Sequence, residues 1–214
     1  MTPFPPHAQN AGSGHTTGER SRASAGALEL ATRHIVVMGV SGSGKTTVAR
    51  GIARATGLLF AEADDFHSQA NVDKMRSGEP LDDDDRRPWL NDLARWMSER
   101  AAEGRSTVIA CSALKRAYRD ALASGPPSIY FVHLHGSATL IESRISLRAG
   151  HYMPASLLRS QIDTLEPLEP DEAGVVVDVD APLQDIMATA VRAVPGRRVE
   201  GPEGPALGST ANGW

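Results

Sequence analysis

One octapeptide constrains this chain more than any other feature: Gly39-Val40-Ser41-Gly42-Ser43-Gly44-Lys45-Thr46, which fits G-x-x-x-x-G-K-[ST]. It lies between an apolar run, His34 to Met38, and a segment of helical period from Gly44 to Thr56. Glycines let the backbone curl until successive N–H groups converge on one anion, and the N-terminus of the following helix adds its positive dipole end. The octapeptide therefore predicts a phosphate cradle in which Gly39, Val40, Ser41, Gly42, Ser43, Gly44, Lys45 and Thr46 bind the nucleotide. Lys45 is expected to reach the outer phosphates and the Thr46 hydroxyl to help hold Mg2+. Gly51 falls inside the helix, where it costs about 1 kcal/mol relative to alanine, and is read as a close-packing position against the sheet.

The rest of the chain repeats the strand-then-helix alternation. Apolar runs of strand length occur at His34 to Met38, Leu58 to Glu62, Ser106 to Cys111, Ser128 to Leu134 and Gly174 to Asp178. Strands buried on both faces read as such continuous runs. Helical segments are expected near Gly44 to Thr56, Arg87 to Ala102, Lys115 to Ser124, Ser137 to Arg148, Ala155 to Leu165 and Pro182 to Val194, with Gly57 and Gly104 as C-terminal caps. Pro126 and Pro127 are expected to end the helix before the fourth strand. The fold class that follows is α/β, a P-loop NTPase fold with a five-stranded parallel sheet and helices on both faces.

Residues 33–194 form the expected P-loop domain. The segment 1–32 is rich in Pro, Gly, Ser and Thr and is read as a disordered extension, and 195–214 as a disordered tail. A net charge of -4 among 214 residues argues against coating nucleic acid or an anionic membrane, so phosphate chemistry must rest on local positive groups. No apolar stretch approaches the ~20 residues that span a bilayer. The single cysteine, Cys111, sits in an apolar run and reads as a buried, reduced thiol of a cytoplasmic protein.

The same cradle serves switches, motors and kinases, so other residues must choose among them. An Asn-Lys-x-Asp segment that reads guanine is missing from the sequence, and the third apolar run ends in Ser112-Ala113-Leu114-Lys115 rather than in an Asp. Both facts favour a compact small-molecule kinase. The second run ends in Glu62-Ala63-Asp64-Asp65-Phe66-His67, which places carboxylates at the carboxyl edge of the sheet, where ligands of open α/β folds bind. Asp64 is the first choice for aligning an acceptor hydroxyl and Asp65 the second; capping a helix that starts near His67 is the plainer alternative.

These residues carry a resemblance to the gluconokinase family of small P-loop kinases, allied to shikimate and adenylate kinases. It spans about Arg33 to Val194 and rests on the octapeptide, Asp64-Asp65-Phe66-His67, Lys74-Met75, Gly78-Glu79-Pro80-Leu81, Asp83-Asp84-Asp85-Arg86, Pro88-Trp89-Leu90, Cys111-Ser112-Ala113-Leu114-Lys115, Tyr118-Arg119-Asp120, Arg148-Ala149-Gly150-His151-Tyr152-Met153 and Gln161. The resemblance implies transfer of the ATP γ-phosphoryl group to the 6-hydroxyl of D-gluconate. Lys45, Asp64 and Arg148 become the catalytic candidates, Thr46 and Asp64 the metal candidates, and Asp65, His67, Lys74, Arg86, Lys115 and Arg119 the substrate candidates. Relatives of this kind also imply a lid at about 144–160, with Arg144 and Arg148 closing on the phosphates, and backbone near adenine at Asp178 to Pro182. Glu62 stands where the family tends to have Asp, a departure that counts against a direct metal-side role there, and Tyr152 where Phe is more usual.

The expected partners are D-gluconate, with neither nucleic acid nor membrane, and a homodimer as the candidate assembly. A kinase of another small sugar acid or polyol, or a nucleotide-binding regulatory module, is the alternative. Three further features have plainer readings. His133 and His135 are assigned to the core or edge rather than to a metal, Asp82 to Asp85 to capping the Arg87 to Ala102 helix, and Trp89 and Trp96 to packing or a subunit contact.

Overall fold

Ile35 and Val37 leave one face of strand β1 (His34–Met38), Val36 and Met38 leave the other, and all four are fully buried. A strand so covered must be central, and the computed structural model, which describes residues 32–126, 128–146 and 155–195, places it there. β3 (Thr107–Ala110) and β4 (Ile129–His135) pair with β1, β2 (Leu59–Glu62) lies outside β3, and β5 (Gly174–Asp178) lies outside β4, all parallel. The order β2-β3-β1-β4-β5 leaves the chain leaving β1 in one direction and returning on its other side. The crevice at that switch, beyond the carboxyl ends of the strands, is where such sheets bind ligands.

Helix α1 (Lys45–Thr56) and α7 (Leu183–Ala193) cover one face, packing Val48, Ile52, Ile186 and Ala190 on Ile35, Val37 and Val132. Helices α3 (Asp83–Ala102) and α4 (Arg116–Ala123) cover the other with Leu93, Met97 and Leu122 on Val36, Met38 and Ile109. Between β4 and β5 run α5 (Ala138–Ser146) and α6 (Ala155–Thr164), whose Ile141 and Leu158 join the first core. The expected caps are present: Gly57 has φ 73 with its N–H on Ala53 O at 2.8 Å, and Gly104 has φ 69 with its N–H on Ala101 O at 2.9 Å. Among the described residues no helix is long and apolar enough to cross a membrane.

Three expectations need correction. Helix α2 (Gln69–Arg76) is missing from the expected helical segments, because its few apolar residues make no stripe, and enters only as the alternative of a helix starting near His67; Ser68, not the acids, caps it by accepting from the Asn71 N–H at 3.2 Å, and Asn71 Nδ2 donates to Asp85 O at 2.9 Å. Helix α3 starts at Asp83 rather than Arg87, with Pro88 inside it. Only Asp82 is the cap, in a box with Asp85. Gly51 does not face the sheet, since a Cβ there would run into the Met187 thioether of α7. The expected extension before residue 32, the tail after 195 and the centre of the expected lid, 147–154, lie outside the described residues.

Two buried groups behave as the sequence implied. Burial pushes the Cys111 thiol up to about 12, so it stays protonated and inert. His133, 3% exposed, has no partner for either ring nitrogen among the described residues, and burial first, then His135 and Arg119, lower it to about 4. The unfolded chain therefore takes up a proton near 6.5 that the folded chain refuses until about 4, and folded stability falls as pH drops through that window. Urea midpoints between pH 7.5 and 5 should fall for the natural protein and fall less for His133→Leu. Parallel curves would show that His133 is not the responsible group.

Candidate active site

The octapeptide folds into the glycine-turned loop between strand and helix that its spacing predicts. Gly39 has φ 139, and a Cβ there would lie 2.7 Å from Leu134 O, so only glycine fits where β1 ends. Gly42, at φ 82, turns the loop beneath Ile145 of α5. Gly44 at φ 98 then leads into α1, whose first residue is Lys45, with Nζ donating to Val40 O at 3.1 Å. Ser43 is buried, and its Oγ has no partner among the described residues. Gln161 of α6 reaches in to accept the Ser41 N–H at 2.7 Å, so a neutral amide oxygen takes an N–H that the sequence assigns to phosphate.

Beside the cradle, β2 runs into a 3-10 turn, Ala63–Phe66, that carries Asp64 into the same cleft of about 1370 Å3. Asp65 is exposed and does not line the cleft. Trp89 fixes this turn: its indole N–H donates to Ala63 O at 2.7 Å, and its ring stacks on His67 at 4.4 Å and 15°. The packing role expected of Trp89 is thus also a positioning role. Burial lowers the His67 pKa, opposed by Asp64 and reinforced by Arg86, so His67 is neutral at physiological pH. Burial also raises the Glu62 pKa, opposed by a hydrogen bond with the Thr46 side chain, while the Asp64 and Asp65 charges push it further up.

The substrate-side cations separate into two groups. Arg86 and Lys115 line the cleft, where Lys115 Nζ meets both oxygens of Asp83 at 2.9 and 2.8 Å and Arg86 donates to Leu81 O. Ala113, at φ 44, gives the chain its bend just before Lys115, a strained left-handed conformation of the kind that clusters at binding clefts. Lys74 instead pairs with Asp85 at 2.5 Å and does not line the cleft. Arg119 does not line the cleft: its guanidinium is buried against Glu172 at 2.5 and 2.8 Å and donates to the carbonyls of Glu166 and Pro167 at 3.0 and 3.1 Å.

Of the expected lid residues, Arg144 donates to Val179 O at 2.6 Å, which anchors it at the end of β5 instead of over the cradle. Arg148 lies outside the described residues. Asp83 and Tyr118 acquire places in the cleft that the sequence did not assign. Their signal was only their presence in segments shared with relatives, since an acid at a helix start and a tyrosine on a helix face are ordinary. His133 and His135 stack edge to face at 5.8 Å, and no metal-binding group of three or more His, Cys, Asp or Glu occurs among the described residues.

A parallel sheet with a phosphate-gripping loop at its switch point, and an acid-and-base cleft opening beside that loop, define a P-loop kinase of small molecules. A family model described as an AAA domain matches residues 35–168. A curated gluconokinase from Gluconobacter oxydans (strain 621H) is 50% identical over 145 residues, covering 68% of this chain and 82% of that protein. The chain belongs to the gluconokinase family. Its structure resembles an unliganded sugar kinase from Janibacter sp. HTCC2649, with 60% identity, a TM-score of 0.72 and coverage of 75% of this chain and 93% of that one. It also resembles a gluconokinase from Sinorhizobium meliloti 1021, with 45% identity, a TM-score of 0.69 and coverage of 77% and 92%.

Proposed function

We propose that this protein transfers the γ-phosphoryl group of ATP to the 6-hydroxyl of D-gluconate, giving 6-phospho-D-gluconate and ADP. The observation that carries the reading is the opening of the glycine cradle, Asp64 and the Arg86–Lys115 corner into one cleft. Relatives named gluconokinase support the choice of acceptor. A sugar acid supplies a carboxylate that suits Arg86 and Lys115, and its far hydroxyl suits an aspartate beside the phosphates.

Asp64 aligns the acceptor hydroxyl and takes its proton late, as a new P–O bond forms and the bond from phosphorus to the ADP oxygen breaks. Lys45 and the loop N–H groups neutralise charge on the phosphoryl oxygens. His67, held against Trp89, is positioned to bond an acceptor hydroxyl. Gln161 must release the Ser41 N–H when a phosphate oxygen takes its place. The Thr46 hydroxyl with the Glu62 and Asp64 carboxylates forms a hard-oxygen set that fits Mg2+, which takes one or two carboxylates and completes its shell with phosphates and water. When bound, Mg2+ supplies charge stabilisation to the transferring phosphate. The buried, inert Cys111 thiol supports a cytoplasmic setting.

A coupled assay with ATP, Mg2+ and a panel of sugar acids tests the reading. Turnover of D-gluconate should exceed that of shikimate and nucleoside monophosphates, and a preference for any other acceptor would replace it. Asp64→Asn should lower kcat by roughly 10²-fold or more with little change in ATP affinity. Loss of ATP affinity instead would move Asp64 to the metal side.

A further inference from the structure

At the acceptor corner of the cleft, one tyrosine touches two cations and the carboxylate between them. Tyr118 of α4 is 8% exposed and donates its hydroxyl to Asp83, the carboxylate that holds Lys115 with both oxygens. Its ring centroid lies 5.7 Å from the Arg86 guanidinium carbon and 5.4 Å from Lys115 Nζ, and Arg86 Nη1 reaches the hydroxyl at 3.5 Å. Two cations share this corner because the ring attracts both and Asp83 lies between the hydroxyl and the ammonium. Burial, with the Asp83 bond next, raises the Tyr118 pKa, so the hydroxyl stays a donor across the physiological range. Arg86, Lys115 and Asp83 together carry one net positive charge at this corner; Glu79, Asp82 and Asp84 line the same cleft, with Asp82 3.8 Å from Lys74 and Asp84 paired to Arg87 at 3.0 Å.

We propose that Tyr118 is the positioning residue that sets acceptor specificity: it fixes Arg86 and Lys115 at the separation that seats a single carboxylate. The site thereby selects a monocarboxylate sugar acid over the uncharged polyol of the same carbon chain. This inference rests on the gluconate reading given above. A polyol leaves the net positive charge unanswered in a partly desolvated corner, and a sugar diacid places a second negative charge near Asp64.

The test compares D-gluconate turnover with inhibition of that turnover by D-glucitol in three proteins: the natural chain, Tyr118→Phe and Tyr118→Leu. Tyr118→Phe keeps the ring but frees Asp83, and should raise the gluconate KM by about tenfold while kcat and the ATP KM stay within about twofold. Tyr118→Leu also removes the ring and should raise the gluconate KM further, with the glucitol inhibition constant nearly unchanged, so the preference for the acid collapses. An unchanged gluconate KM in both variants overturns the proposal. So does an equal loss for gluconate and glucitol, or a parallel fall in kcat, ATP affinity and melting temperature, since these mark a packing role. If the natural chain does not phosphorylate gluconate, the functional reading itself fails, whatever the variants do.

Discussion

Lys45→Ala loses phosphoryl transfer by roughly 10³-fold while the protein keeps its melting temperature and circular dichroism spectrum. The separation of effects follows from where Lys45 sits. It is the first residue of α1, and the residues that anchor this helix to the sheet, Val48, Ala49 and Ile52, point the other way into the core. The ammonium group returns to Val40 O within the cradle, close to the phosphates it would bind, so its removal takes charge from the reaction rather than from packing. Transition-state charge on the phosphoryl oxygens is where a fixed cation counts most, because the cradle is already preorganised. The coupled assay and a thermal melt on the same preparation check both halves; turnover within tenfold of the natural protein would remove Lys45 from the catalytic set.

Arg119→Met is expected to do the opposite, destabilising the fold by about 3–5 kcal/mol and leaving the gluconate KM of the folded fraction unchanged. The Arg119 side chain is 0% exposed and the Glu172 side chain 5%, and their bidentate pair ties α4 to the segment entering β5. Carbonyls of Ala113, Leu114, Glu166 and Pro167 take its remaining donors. Removing the cation leaves the buried Glu172 carboxylate with only the Glu169 N–H at 2.9 Å and Arg116 at 3.8 Å, which costs far more than the pair contributes against an apolar substitute. The melting temperature should fall by about 10 °C, and Arg119→Met with Glu172→Met should recover part of the loss. A raised gluconate KM with an unchanged melting temperature would return Arg119 to the acceptor site.

The parallel sheet and the cradle were legible because they depend on local, repeated signals. Val36 and Val37 cannot both be buried in a strand unless both of its faces are covered, and the run containing them says so. The octapeptide states its own conformation through the φ values that Gly39 and Gly42 need. The extent of helix α2 was illegible because its order comes from a cap and from bonds to Asp85 fourteen and eleven residues away, not from an apolar stripe. The acidic run was half legible. Its position before a helix was clear, but Asp83 goes to Lys115 and Tyr118, thirty-two and thirty-five residues on.

Spacing placed Lys115 and Arg119 four apart and so on one helical face, yet Lys115 is the extended N-cap, at φ -96 and ψ 149, and only Arg119 is inside α4. One therefore points to the cleft and the other into the core. Sequence by itself determined the strand order's raw material, the phosphate loop and the acid-bearing end of β2, since each is dictated by backbone sterics and burial within a few residues. Tertiary structure alone decided which cations line the cleft, because a charge goes to whichever carboxylate or carbonyl the folded chain brings within about 3 Å, and that distance does not depend on separation along the chain.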